Sequence, residues 1–170
     1  MQTNMKWLAA ISVAAFAGLQ SPAALSHGDD SHKAAREKAP ISTEVHPWGQ
    51  EGDPKKAKRT VKIDMADTMR FNPAVIRVKR GETVRFVVRN SGKLMHEMVI
   101  GTEEELARHA DLMKKFPEME HEAPYMAHVK PGTSQELTWT FSNPGTFRYG
   151  CLEPGHWEAG MKGSIVVAAK

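Results

Sequence analysis

From Thr60 onward, apolar and polar positions alternate with the period of two that marks half-buried strands. Val61, Ile63 and Met65 alternate with polar neighbours. Val75, Ile76 and Val78 follow Asn72-Pro73, and Arg80-Gly81-Glu82 is a turn signal before Val84, Phe86 and Val88. Asn90-Ser91-Gly92 is a second turn, after which His96 opens an apolar run through Met98, Val99 and Ile100. Leu137, Trp139 and Phe141 alternate again. Asn143-Pro144-Gly145 then turns the chain into a strand over 146–149, and 164–168 closes the pattern. Several short strands separated by Gly, Pro and Asn turns predict an all-β domain, a Greek-key sandwich or barrel.

One segment breaks the period. Thr102 with Glu105 three residues on is a capping box, and acidic residues at 103–105 suit a helix N-terminus. Leu106, Ala110, Met113 and Phe116 recur at helical spacing, and Pro117 ends the helix. Met113 therefore reads as core. A long Pro-bounded loop follows, with two Met-x-His pairs, Met119/His121 and Met126/His128, among glutamates. Thioethers bind Cu(I) and imidazoles bind either copper state, so these four are candidate metal-binding residues. The competing reading packs both methionines onto the sandwich.

Before Thr60 the pattern fades. Lys6 precedes an apolar run at 7–19, too short for a comfortable membrane span, and Ala24-Leu25-Ser26 offers small residues for cleavage. Residues 1–26 are read as a secretory signal peptide, with an uncleaved anchor as the competing reading. Residues 27–59 are polar, carry three prolines and lack apolar periodicity, so a flexible tail is expected. It holds His27, His32 and His46. His27 would offer amine and imidazole together if cleavage follows Ser26. The basic cluster Lys55, Lys56, Lys58 and Arg59 reads as the solvated end of this linker.

Composition changes this picture in two ways. A net charge of +3 over 170 residues is too weak to argue for nucleic-acid binding. The single cysteine, Cys151, excludes an intrachain disulfide and leaves its thiol free for chemistry.

That cysteine stands at the head of Cys151-Leu152-Glu153-Pro154-Gly155-His156-Trp157-Glu158-Ala159-Gly160-Met161. A thiolate, an imidazole and a thioether on one short loop, between two predicted strands, make a compact soft-metal site. One more histidine would complete a trigonal Cys-His-His set with a weak axial Met, the ligand set of a mononuclear copper electron-transfer site. Zinc is the other metal to weigh, but structural zinc sites take four Cys or His ligands, and one cysteine leaves that set short. His96, after a loop and at the head of a strand, is the best remaining ligand.

With Phe71-Asn72-Pro73, Gly81-Glu82-Thr83-Val84, His96 and the Cys151/His156/Met161 loop in place, residues 60–170 resemble the cupredoxins, the blue-copper fold of plastocyanin, azurin and pseudoazurin. The resemblance implies copper as cofactor, with His96, Cys151 and His156 as strong equatorial ligands and Met161 as axial ligand. Plain electron carriers of this family need neither a histidine-bearing tail nor a Met/His loop. In having both, the chain is similar to the periplasmic CopI-type cupredoxins, which the family associates with copper tolerance.

The resulting expectation is an exported, periplasmic, monomeric copper-binding protein that binds and oxidises Cu(I). Its partners would be copper ions and a periplasmic redox or copper-handling protein. A diffusible one-electron carrier is the alternative. His156, on a loop, is expected at the exposed edge of the site, with Trp157 beside it as a shield or part of a docking patch.

Overall fold

A computed structural model describes residues 40–117, 119 and 121–169. The signal-peptide expectation and His27 and His32 lie outside them.

Among the described residues, eleven strands make two sheets. They are β1 (Val45–His46), β2 (Gly49–Glu51), β3 (Arg59–Ala66), β4 (Arg70–Asn72), β5 (Val75–Lys79), β6 (Thr83–Asn90), β7 (His96–Gly101), β8 (Met126–Val129), β9 (Ser134–Thr140), β10 (Gly145–Gly150) and β11 (Lys162–Ala168). One sheet runs β1-β2-β9-β6-β3-β4 and the other β5-β11-β10-β7-β8. The β3–β6 and β5–β11 pairs are parallel and the remaining pairs antiparallel.

The alternation seen in the sequence becomes the core. Ile63, Met65, Val84, Phe86, Val88, Leu137 and Trp139 from the first sheet meet Ile76, Val78, Met98, Ile100, Phe147 and Ile165 from the second. Burying each such side chain is worth about 1.5–3 kcal/mol.

β7 departs from alternation: all six of its residues are buried. Its even-numbered side chains Met98 and Ile100 enter the sandwich core. Val99 faces outward under the helix α1 (Glu103–Lys115), where it packs with Leu106, Ala110 and Met113. A strand covered on both faces reads as a continuous apolar run, as this one does. The predicted capping box forms at Thr102 and Glu105, while Phe116 lies beyond the helix and is exposed.

Two expectations are corrected. Residues 45–51, read as part of a tail, instead add β1 and β2 to the sheet edge: Gln50 pairs with Thr140 and Glu51 with Trp139. Between the two strands Trp48 is buried at 3% exposure, and burial of an aromatic side chain of about 150–250 Å² outweighs a weak local pattern. The second correction concerns the long loop, whose second half is β8, paired along β7 from His96↔Val129 to Val99↔Met126. Met126, Ala127 and Val129 are buried there, and that burial fixes a strand.

Candidate metal centre

The Cys151 loop spans the gap between two paired strand ends. β10 and β11 are in register to Gly150↔Lys162, so residues 151–161 must leave and return at one point. The Cys151 N–H donates to the Met161 carbonyl and the Met161 N–H to the His156 carbonyl, closing the loop on itself. Gly155 and Gly160 take φ of +86° and +88°, the left-handed turns that the Pro-Gly and Gly signals announced. Arg70 Nη1 donates to the carbonyls of Ala159 and Met69, pinning the loop to β4.

β7 runs beside β10, with Val99 opposite Gly150, and so carries His96 to the start of this loop. His96 Nδ1 lies 3.9 Å and His156 Nδ1 3.2 Å from Cys151 Sγ, and the two imidazole centroids are 5.0 Å apart. These donor atoms all lie within 4.8 Å of one another. Such separations suit donors sharing one ion with bonds of about 2.0–2.3 Å. His96 and Cys151 are fully buried, whereas His156 is half-buried and forms the accessible edge. Met161 is fully buried in the same cluster as Cys151. Trp157 is buried with Leu152, Val99 and Met113 beneath α1, so it packs the loop down.

His96 and Cys151 each have a partner that orients the donor. With Nδ1 facing the sulfur, His96 Nε2 carries the proton and donates to Asp67 Oδ1 at 3.1 Å. The Asp67 carboxylate also accepts the N–H groups of Lys93 and Leu94, bonds that hold it below the ordinary carboxylate range. Asn90, fully buried, donates to the carbonyls of Leu94 and Val129 and accepts from Gly92, so the 91–95 loop presents His96 in one position. The Glu97 N–H donates to Cys151 Sγ at 3.4 Å, a contact that tunes the sulfur's electron density. Burial pushes the Cys151 thiol up; a bound cation reverses that preference, because a coordinating thiol is deprotonated. Burial, and secondarily the neighbouring His96, lower His156, favouring the neutral imidazole a metal needs.

Glu97 is the unexpected member. It is 2% exposed, and burial pushes its carboxyl up to about 8, although the Leu152 N–H bond opposes that shift. A protonated Glu97 donates from Oε2 to His128 Nδ1 at 3.1 Å, while Oε1 accepts from Leu152 N–H at 2.8 Å. It thereby ties β8 to the residue after Cys151.

The structure brings His96, Cys151 and His156 together beside the buried Met161, while His46, Met119, His121, Met126 and His128 lie outside that cluster. Met126 is buried under α1, and both nitrogens of His128 are engaged, Nε2 with the His121 carbonyl at 3.0 Å. Met119 and His121 are exposed, and His46 stacks on Trp48 at 4.7 Å between centroids.

Asp67, Asn90, Glu97 and His109 escaped the sequence reading. A charged residue inside the apolar 96–100 run was the available signal for Glu97. His109 stands three residues after Leu106 and four before Met113, on the flank of the buried helical stripe. Burial and the neighbouring His121 and His128 imidazoles hold it below the usual histidine value.

The sequence model of copper binding proteins of the plastocyanin/azurin family matches residues 57–168. The copper-resistant cuproprotein CopI of Rubrivivax gelatinosus is 51% identical over 121 residues, 71% of this chain and 73% of that one. CopI of Pseudomonas aeruginosa is 34% identical over 152 residues, 71% of this chain and 82% of that one. Among solved structures, reduced auracyanin from the photosynthetic bacterium Roseiflexus castenholzii aligns with a TM-score of 0.57 at 24% identity, covering 66% of this chain and 98% of its own. Auracyanin A of Chloroflexus aurantiacus, described as a blue copper protein, gives 0.54 at 21%, covering 64% and 98%. The Cys-His-His donors fit copper, and by sequence and fold the chain belongs to the plastocyanin/azurin family of copper-binding proteins, a cupredoxin homologous to the CopI copper-resistance proteins.

Proposed function

We propose that the protein is exported to the periplasm and serves copper tolerance there, using a single type 1 copper centre to bind copper and to oxidise Cu(I). His96, Cys151 and His156 would hold the ion, with the Met161 thioether as a fourth, weaker donor. When bound, the ion supplies one-electron redox chemistry. The chain's residues do the rest. Thiolate and imidazole accommodate both Cu(I) and Cu(II), and the partners of the buried His96 and Cys151 would keep the site similar in both states. Cu(I) taken up from solution would be the substrate, losing one electron and leaving as Cu(II). The half-buried His156 is the edge through which the electron then passes to a one-electron acceptor, a periplasmic redox protein.

The observation carrying this reading is the convergence of the Cys151, His96 and His156 donor atoms within 4.8 Å, in a chain 51% identical to a copper-resistance protein. Accessibility at His156 also suits the second reading, a diffusible electron carrier. Growth in rising copper separates them. A deletion strain regaining tolerance with the wild-type chain, but not with Cys151→Ser, supports the proposal; full tolerance with Cys151→Ser refutes the role of the centre. Loss of reduction of a partner enzyme with unchanged tolerance favours the carrier. Cu(II) titration of the purified reduced protein must give intense visible absorption saturating at one equivalent, and its absence removes the type 1 assignment.

A further inference from the structure

A second cluster of soft ligands surrounds a cavity of about 490 Å³ on the outer side of β7, lined by α1, by Met119, His121 and Tyr125, and by β1. His46, His109 and His121 all line it, together with the thioether residues Met113 and Met119. None of these belongs to the Cys151 centre.

The geometry singles out a pair. The His109 and His121 rings lie 4.7 Å apart between centroids, tilted by 34°. His109 is fixed on a helix whose capping box and buried stripe hold its backbone in place. His121 Nδ1 lies 3.4 Å from the Met119 carbonyl, and donation there leaves the Nε2 lone pair free. Met119 lines the same cavity as the pair, its carbonyl beside His121 and its N–H held by the Phe116 carbonyl. His128 takes no part as ligand, since both its nitrogens are occupied; its Nε2 instead anchors the His121 carbonyl.

We infer that His109 and His121, with the Met119 thioether, form a second copper site that takes Cu(I). Two imidazoles and a thioether are neutral, soft-to-borderline donors that suit a monocation and bind hard divalent ions poorly. Glu44 and Glu105 on the cavity wall offset the one arginine there, Arg108. Unlike the Cys151 centre, His121 and Met119 are exposed, so an ion can enter and leave. The choice of copper rests on the copper-tolerance reading. On that reading this is where Cu(I) is captured, and hydrogen bonds on either side of the covalently continuous Glu97 connect the His121 carbonyl, through His128, to Cys151 Sγ.

The test uses full-length protein loaded at the Cys151 centre, reduced with ascorbate and titrated with Cu(I) against a chromophoric Cu(I) chelator. Two-dimensional NMR follows the histidine ring nitrogens in parallel. The wild type should bind one more Cu(I) than the His109→Ala/His121→Ala variant. Each single variant should weaken that extra ion by more than the roughly ten- to hundredfold that losing an outer-shell partner costs. The His109 and His121 ring resonances should shift together in the wild type. Equal stoichiometry in wild type and double variant, or ring resonances that stay in place while copper is taken up, would overturn the site. Either result is separable from failure of the Cys151 centre, because the Cu(II) form of the double variant reports that centre directly by its visible absorption.

Discussion

Two histidine clusters lie on this domain, and they are built in opposite ways. Around Cys151, each donor is buried or half-buried: Asp67 accepts from His96, the Glu97 N–H donates to the sulfur, and backbone bonds close the loop that carries His156 and Met161. Around His109, one donor is anchored on a helix and two are exposed on the segment after it. The difference teaches what each kind of site is for. A site whose donors cannot relax holds one geometry through a redox change. A site with one fixed donor and two accessible ones lets an ion exchange with solvent.

The largest effect that should separate the clusters is spectroscopic. Cys151→Ser should abolish the intense visible absorption of the Cu(II)-loaded protein, and the His109→Ala/His121→Ala variant should leave it intact. Loss in both would mean that the clusters are not independent.

Copper removal comes next. An ion bound only by the folded chain stabilises it by about 2.7 kcal/mol when free copper is 100-fold above Kd. Stripping the Cys151 centre should lower the thermal midpoint markedly. Stripping copper from a Cys151→Ser protein, which keeps only the accessible cluster, should lower it less. Calorimetry of the four samples decides.

Supporting residues should follow in order. Asp67→Ala should weaken copper at the Cys151 centre by roughly 10–100-fold, measured by chelator competition, since it removes the acceptor that orients His96. Glu97→Leu should destabilise the metal-free domain by about 1–3 kcal/mol in urea, because Leu152 N–H and His128 Nδ1 lose their partner. The exposed His121 side chain bonds only the Met119 carbonyl at 3.4 Å, and truncating it leaves its own carbonyl in place for His128, so His121→Ala should barely move that midpoint.

The smallest effect is alkaline. Burial, then Glu44 and Glu105, raise Tyr125 above its ordinary value of 10.0. The native state keeps this proton where the unfolded chain releases it, so stability is level below pH 10.0 and falls as pH rises through the native value. Tyr125→Phe should remove part of that loss, seen as a flatter dependence of the urea midpoint between neutral and alkaline pH.

The primary site was legible in the sequence because most of it is local. Cys151, His156 and Met161 share eleven residues with their own turn signals, and two flanking strands can bring such a loop's ends together in few ways. His96 was legible by elimination and by resemblance, since it alone stands at the mouth of an apolar strand. The helix was legible for the same reason: its cap, its buried face and its end are all written within sixteen residues, 102–117. Local signals failed where burial depends on distant partners. Nothing near Trp48 announces that β9 offers it an edge, and nothing near Met126 and His128 announces β7 beside them. A Met-x-His pair looks the same whether its methionine reaches a metal or the underside of a helix.

By itself, then, the sequence determined the all-β class, the capped helix and the chemistry of the Cys151 loop, each of which follows from neighbours a few residues apart. Only the tertiary structure decided which ionisable groups support that loop and which histidines stand together. Asp67 reaches His96 across 29 residues and Glu97 reaches Leu152 across 55. His109 meets His121 only because α1 packs over β7 and turns its flank toward the returning chain. Sheet register and helix packing set those distances, and both are properties of the closed sandwich.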